Sequence, residues 1–533
     1  MSTDDFEQRH AGTLSGNLGH EVFLALHSDR KRVAVVDYAG KEPKEINAGS
    51  LLVLASLLSD RVKTLTSASR VGIVIPPGIG GLVANLATVF AGKVPVNLNF
   101  SLGRSALESS IERSGLDLIL SAEKVKSKLK DFPWGDSYLD LGKTLEEIRD
   151  RKGKLFLRAM LLTLPSSFAA SLLKIPREGG ESEAGLLFTS GSSGTPKGVA
   201  LSHRNLLANC LQIVDAAAIE EGEVLLGNLP LFHSFGFTVT LWFALWRKVK
   251  LVTVSSPLEV KKGLTAIREN EVTVLLGTPT FLRPFLLKGK AEDLGSVRLV
   301  ISGAEKTPEG FAEKWETAFD CEYLEGYGLT ETSPVLSINL PGDGTRKGSV
   351  GRLMPGVQAR LLNPDSGEEV PSTKTGLLCF QGPNVFSGYL GEPERTKEVL
   401  PGDGWFHTGD LGRFDEDGFL FIEGRLSRFS KIGGEMVPHG TVEQAVAKAL
   451  GVEDAEKPLV AVGSKADPAK GESLVLLAVP ELDYEDLRKR LSGEGLANLW
   501  IPKKVRQVDE IPMLPTGKLD LKEIARICEA EEG

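Results

Sequence analysis

Three short β-rich runs, RVGIVIP at 70–76, KVPVNLN at 93–99 and LDLILSA at 116–122, alternate with longer helical patterns, the first of which is the apolar stretch at 80–91. That rhythm is the βαβ arrangement, which commits this part of the chain to a parallel sheet covered by helices. Continuous apolar runs at Thr273–Leu276 and Val297–Ile301 repeat the signal and end in glycine-containing turns. Such turns sit at the carboxyl ends of parallel strands, where ligand loops are expected. The fold class is therefore α/β over most of the chain. The pattern changes near Gly424–Ser430, after a glycine-rich, strand-like region from Gly376 to Phe421. Beyond it a helix from about Val442, two strands and a helix at about 483–491 predict a compact α+β unit.

The 533 residues suffice for about three to five folding units with large cores. At 41% hydrophobic and 25% charged, the composition excludes a fibre, a disordered chain or a membrane bundle. With 62 basic against 71 acidic residues the formal charge is −9, which carries no nucleic-acid signature. Cys210, Cys321, Cys379 and Cys528 form no CxxC pair, as expected of a reduced, cytoplasmic chain. The polar, acidic start MSTDDFEQRH is unlike a signal peptide, and the most apolar stretches, at 50–58, 81–91 and 236–246, are too short to span a bilayer.

Residues 151–176, RKGKLFLRAMLLTLPSSFAASLLKIP, stand apart. Arg151, Lys152, Lys154, Arg158 and Lys174 flank an apolar centre interrupted by Pro165. Three readings stay open: a packing helix pair, a shallow contact with an anionic membrane surface, or disorder.

The strongest motif is AGLLFTSGSSGTPKGVALSHRNLLANC. A strand at Leu186–Phe188 leads into Thr189, Ser190, Gly191, Ser192, Ser193, Gly194, Thr195, Pro196 and Lys197, and Ser202 is placed to cap a helix with apolar positions Leu206, Cys210, Ile213 and Val214. Glycines let backbone N–H groups turn inward, hydroxyls add donors and Lys197 adds a mobile charge, a combination suited to polyphosphate. It is not a Walker A loop: Lys197 follows proline, and the one GKT, at Gly142, lacks the upstream glycine.

This run resembles the signature loop of the adenylate-forming superfamily, which includes acyl-CoA synthetases, luciferases and peptide-synthetase adenylation domains. Further segments match in the family's order: NLPLFHSFGF at 228–237, GTPT at 277, SGAE at 302, GYGLTETSP at 326–334, GWFHTGDLGRFDEDGFLFIEGR at 404–425 and LPTGKLD at 514–520. The resemblance covers at least residues 60–525. It implies ATP and Mg2+ as cofactors, and a reaction in which a carboxylate becomes an acyl adenylate and then passes to a thiol. It also implies a large AMP-binding domain over 1–424 with the acyl and ATP sites, a hinge at 425–430, and a small mobile domain over 431–533.

Residue by residue, the resemblance assigns Lys518 to the carboxylate and α-phosphate, reached across an interdomain cleft. It assigns Glu331 to magnesium, Thr330 to a phosphate oxygen, and Gly326, Tyr327 and Gly328 to the adenine wall. Asp410, assisted by Arg425, maps to the ribose hydroxyls. His233 borders the bound carboxylate, and Gly303, Ala304 and Glu305 lie beside the nucleotide and acyl tunnel. Lys431 faces the thiol in the second half-reaction. Three departures stand out: Ser427 replaces the usual Asp or Lys of the hinge, the usual Pro-x-Glu-x-Glu ending is loosened to His439, Gly440, Thr441, Val442 and Glu443, and Asp520 replaces a basic residue after Lys518. No HExxH or Cys/His ligand spacing competes with magnesium.

Within the superfamily, GRLSRFSKIGGEMVPHGTVEQ most resembles the acyl-acyl-carrier-protein synthetase half of bacterial lysophospholipid acyltransferase fusions. The expectation is a fatty acid–acyl carrier protein ligase, with Arg425, Arg428, Lys431, Lys503, Lys504 and Arg506 meeting the acidic carrier. A long-chain or medium-chain fatty acyl-CoA synthetase is the enzyme alternative, and an adenylate-binding regulatory protein the non-enzyme one. Residues 151–176 would suit an enzyme collecting fatty acid at the inner face of a membrane.

Overall fold

The computed structural model describes all residues except 136–137, 190–195, 342–344, 433–434, 454, 456, 468–470, 494–495, 514–518 and 531–533, and the side chains of 435–436. Two compact units emerge, one comprising 1–359, 379–407 and 414–421, the other 360–378, 408–413 and 422–533.

The first unit is a large α/β assembly with two sheets. In the nine-stranded sheet, Val33–Asp37, Lys250–Thr253, Val224–Gly227, Val274–Gly277, Leu299–Ser302 and Glu322–Gly328 are neighbours in that order and all run parallel. These strands read as unbroken apolar runs because helices cover both faces, leaving no water-facing alternate positions. On one side Val252, Leu275 and Val300 pack with Trp315, Phe285 and Ile267. In the six-stranded sheet, Tyr138–Asp140, Ile119–Ser121, Arg70–Val74, Val94–Asn97 and Glu183–Thr189 are parallel, so the three runs that set the fold class are neighbours. Helix Ile79–Phe90 occupies the predicted apolar stretch, with Gly81 through Phe90 buried.

The sequence reading ran from strand to loop to helix around the Ser/Gly motif; a further strand intervenes. Glu183–Thr189 pairs antiparallel with Lys197–Ser202, with Thr189 opposite Lys197. Ser202 then caps helix His203–Asp215, its hydroxyl accepting from the Asn205 N–H at 3.1 Å while the Asn205 carboxamide answers at the Ser202 N–H.

The second unit is smaller and α+β. Gly471–Ala478 pairs antiparallel with Val460–Asp467 and parallel with Lys504–Gln507, and Phe429–Ile432 joins on the far side. Helices His439–Leu450 and Tyr484–Gly493 cover one face through Val442, Val446, Leu487 and Leu491, and Leu521–Glu529 covers the other through Ile524 and Cys528. All four cysteines are buried thiols outside any disulfide.

His439, at the start of its helix, is buried, with Nε2 at 2.8 Å from the Ser430 hydroxyl. Burial, aided by the nearby Arg428 guanidinium, holds its pKa down at about 3 from 6.5. The unfolded chain therefore binds the extra proton between those values, and stability present above pH 6.5 falls as pH drops through that window, by up to about 1.4 kcal/mol per pH unit. Urea unfolding of the full chain monitored between pH 7 and 4.5 is expected to show a shallower decline for His439→Gln than for the parent. Equal slopes would assign the decline to other groups.

Candidate active site

The carboxyl ends of the parallel strands of the first unit bring the sequence motifs together. Strand Val274–Gly277 ends in Thr278, whose hydroxyl caps helix Pro279–Lys288 by accepting from the Phe281 N–H at 3.3 Å. Strand Leu299–Ser302 ends in Gly303, Ala304 and Glu305; Ala304 adopts φ +66°, a left-handed conformation costing a non-glycine residue about 1–2 kcal/mol. Tight turns of this kind persist where surrounding contacts over-determine them. Here Glu305 accepts from both the N–H (3.2 Å) and the hydroxyl (2.7 Å) of Thr280, tying the SGAE turn to the GTPT turn.

Strand Glu322–Gly328 delivers Gly326, Tyr327 and Gly328 to the same edge. A Cβ on Gly328 would sit 2.1 Å from the Pro334 carbonyl oxygen, so only glycine allows the turn to fold back there. The next residues form a short 3-10 turn, Thr330–Thr332. The Thr330 hydroxyl donates to the Ser234 hydroxyl at 3.3 Å, which anchors the turn to the PLFHSFG segment. Glu331 Oε1 accepts from the Tyr389 hydroxyl at 2.8 Å, and Tyr389 Oη in turn lies 3.5 Å from Lys197 Nζ, whose charge sits 4.9 Å above the same ring. A buried tyrosine thus joins the basic residue of the Ser/Gly motif to the acidic residue of GYGLTE. Sequence reasoning missed Tyr389, which lies in a turn-rich run (FSGYL) with no spacing that marks it.

Tyr389→Phe removes the donor to Glu331 while keeping the ring under Lys197. ATP affinity is expected to weaken by about tenfold, the worth of one hydrogen bond to a charged group at the low end, with the fold retained. Titration calorimetry with ATP and magnesium measures it, and unchanged affinity would detach Tyr389 from the site.

A mostly apolar cavity opens beside these turns. His233, Ser234 and Tyr327 lie in its wall, and Ile213, Ile219, Leu276, Ile301, Ile338 and Met354 are among the aliphatic side chains that line it. Val239 reaches it from a π-helix, Gly236–Phe243, whose wider winding is a frequent mark of functional positions. Gly236 makes that start possible, because a Cβ there would meet the Pro230 carbonyl oxygen at 2.2 Å.

In the second unit Asp410 is 4% exposed on strand Phe406–Phe414, with Oδ1 at 3.2 Å from Arg425 Nε. The two residues assigned to the ribose therefore meet. The six basic residues expected to greet an acidic carrier fare differently. Arg425 pairs with Asp410, Arg428 with Glu443 (2.5 Å), Lys431 with Asp365 (2.6 Å) and Lys503 with Asp467 (3.6 Å), while Arg506 donates to the carbonyls of Cys528 and Ala530. Four of these cations therefore face a carboxylate of their own unit, which offsets part of the expected cationic patch where it stands. Ser190, Gly191, Ser192, Ser193, Gly194, Thr195 and Lys518 lie outside the described residues. Among the described residues no cluster of three or more His, Cys, Asp or Glu side chains is arranged to hold a metal.

Residues 28–390 match the family described as AMP-binding enzyme. A long-chain-fatty-acid–CoA ligase of Bacillus subtilis is 27% identical over 508 residues, covering 88% of this chain and 89% of its own. A probable CoA ligase of Humulus lupulus is 30% identical over 362 residues, covering 65% of this chain, which thus spans 64% of that relative's length. Among solved structures, ATP-bound MatB from Rhodopseudomonas palustris superposes with a TM-score of 0.77 at 27% identity, over 95% of this chain and 98% of that one.

Proposed function

The chain belongs to the AMP-binding enzyme family, and from that premise we propose that it is an ATP-dependent ligase joining a medium- or long-chain fatty acid to coenzyme A. The carboxylate attacks the α-phosphorus of ATP and expels pyrophosphate, giving the acyl adenylate; the CoA thiol then attacks the acyl carbon and AMP leaves. Adenylation is required because a carboxylate has no leaving group better than oxide.

The observation that carries the substrate reading is the aliphatic cavity whose wall holds His233, Ser234 and Tyr327. An acyl chain buried there loses about 0.8 kcal/mol of unfavourable hydration for each CH₂. Lys197 and Thr330 offer a cation and a hydroxyl to the phosphates beside it. Glu331 fits Mg2+, a hard cation that takes carboxylate oxygens, and a bound ion there neutralises charge on the ATP phosphates. Asp410 takes the ribose diol, and residues 425–430, where the single turn Leu426–Arg428 joins two strands, are the pivot between half-reactions.

Coenzyme A is favoured over a carrier protein by two observations. The relatives of this chain described above are CoA ligases by name, and the basic cluster that would have met an acidic carrier is in part internally paired. Purified enzyme with ATP, Mg2+, fatty acids from C8 to C18 and a hydroxycinnamate is the test, with CoA and holo-carrier protein compared as acceptors. The expected result is higher kcat/KM with CoA and with aliphatic acids. Preferential turnover of the carrier overturns the acceptor, and preferential turnover of the hydroxycinnamate overturns the substrate class.

A further inference from the structure

Residues 151–176 fold as two short helices, Lys152–Leu161 and Ser166–Leu172, separated at Pro165. One apolar side of the pair is used internally. Leu162, Ala169 and Leu173 are buried, and Leu155 and Leu162 line a groove with Val53 and Leu54 of helix Ala48–Leu65. The Arg158 guanidinium pairs with Asp60 of that helix and fixes the docking.

The other side is apolar as well, and it faces outward. Phe156 (67% exposed), Leu157, Met160, Phe168 (55% exposed) and Leu172 are five of the eleven large hydrophobic side chains exposed among the described residues, gathered within 17 positions. No other phenylalanine among the described residues is exposed to this extent. The spacings Phe156/Met160 and Phe168/Leu172 are i,i+4, so each pair forms a ridge along its helix. A helix with two apolar sides has more hydrophobic surface than the fold covers, and a gathered exposed patch of this kind marks an interaction site.

Charge selects the occupant. The 26 residues from 151 to 176 contain five basic side chains and neither Asp nor Glu, in a chain of net charge −9. Arg151, Lys152, Lys154 and Lys174 are exposed at the ends of the patch. Arg30, Lys44 and Arg149 line the adjoining groove with one acid, Glu45, while Asp60 pairs with Arg158 and exposed Asp150 precedes Arg151. A second copy docking face to face would set these cations against themselves. A bilayer presenting anionic phosphates above an acyl layer matches both parts, an apolar ridge and its basic rim.

We propose that helices Lys152–Leu161 and Ser166–Leu172 dock this protein on anionic phospholipid surfaces, the five exposed apolar side chains entering the headgroup–acyl boundary and the basic rim meeting lipid phosphates. This surface stands apart from the ligase reading and does not depend on it.

The test is co-sedimentation of the full chain with phosphatidylcholine vesicles, either pure or containing about one third phosphatidylglycerol, at about 0.1 M and about 0.5 M salt. Binding is expected to the anionic vesicles only and to weaken with salt. Phe156→Ser with Phe168→Ser, and separately Lys152→Glu with Lys154→Glu, are each expected to lower the partition at least about tenfold, the lysine pair by the loss of about fivefold per cation. Adenylate formation from a soluble short-chain acid is expected to stay at the parental rate in both. Because Phe→Ser changes can act through folding, Phe156→Trp serves as a variant that keeps the apolar ridge, and its fluorescence after subtraction of the parent's six tryptophans is expected to shift to the blue on anionic vesicles. Absence of vesicle binding, equal binding to neutral vesicles, or an unshifted Phe156→Trp spectrum on bound protein overturns the proposal. So does a concentration-dependent dimer that Phe156→Ser with Phe168→Ser abolishes while vesicles capture nothing.

Discussion

The Lys518→Ala variant is expected to lose at least about 100-fold of its fatty-acid-dependent exchange between pyrophosphate and ATP, equivalent to about 2.7 kcal/mol of barrier, while still converting preformed acyl adenylate to thioester. The asymmetry follows from where charge develops. In the first half-reaction negative charge builds on oxygens around the α-phosphorus as the carboxylate enters and pyrophosphate departs. An ammonium at about 4 Å from one such oxygen is worth about 1 kcal/mol in water but about 4 kcal/mol at an effective dielectric of 20, so its value is realised only with water excluded. In the second half-reaction one new negative charge appears on the oxygen of the departing AMP, and the resemblance assigns Lys431 rather than Lys518 to that step. Lys518→Arg tests the point, since a planar guanidinium restores the charge but not the compact ammonium. An exchange rate at the parental level in Lys518→Ala would remove the residue from adenylation.

Asp410→Ala is expected to weaken ATP binding by about 100-fold or more, because two charge-assisted hydrogen bonds to the ribose diol, at about 1.5–3 kcal/mol each, disappear together. Fatty acid binding measured alone is expected to change little. Asp410 is 4% exposed and its partner Arg425 has a side chain 61% exposed, so the substitution leaves that guanidinium solvated. Asp410→Asn keeps one acceptor oxygen and is expected to fall between the two. Calorimetric titration with each ligand reads the result, and unchanged nucleotide affinity would detach Asp410 from the site.

Much of the local structure around these motifs was legible in the sequence because its signals act over a few residues. A run such as Val274–Gly277 followed by Thr278 and Pro279 carries its own instructions: unbroken apolar residues for a strand covered on both faces, a hydroxyl to cap, and a proline at the first turn of the helix. The Ser202 cap was readable for the same reason, since donor and acceptor lie three residues apart. The pairing Lys197–Ser202 with Glu183–Thr189 was not, because its alternating residues were read as part of a phosphate loop continuing into the helix. The apolar centre of residues 151–176 was likewise visible as composition, while which of its side chains stay exposed was not.

The order of strands in the nine-stranded sheet belongs to the tertiary level. Val33–Asp37 lies beside Lys250–Thr253, more than two hundred residues away, because backbone hydrogen bonding is indifferent to sequence distance once helices have been folded over the faces. Tyr389 became part of the site in the same manner, 58 residues from Glu331 and 192 from Lys197. The basic residues near the end of the chain make the contrast sharpest. In a sequence Arg428, Lys431 and Lys503 are cations available to any acidic partner, and only folding brings Glu443, Asp365 and Asp467 against them. Residue types and short-range spacing therefore decided the chemistry this chain can perform, because propensity, capping and strand burial act over a few residues. Which charges remain open to a partner was decided by packing, because a lysine's field at the surface depends on the carboxylates that the rest of the chain carries to within a few ångströms of it.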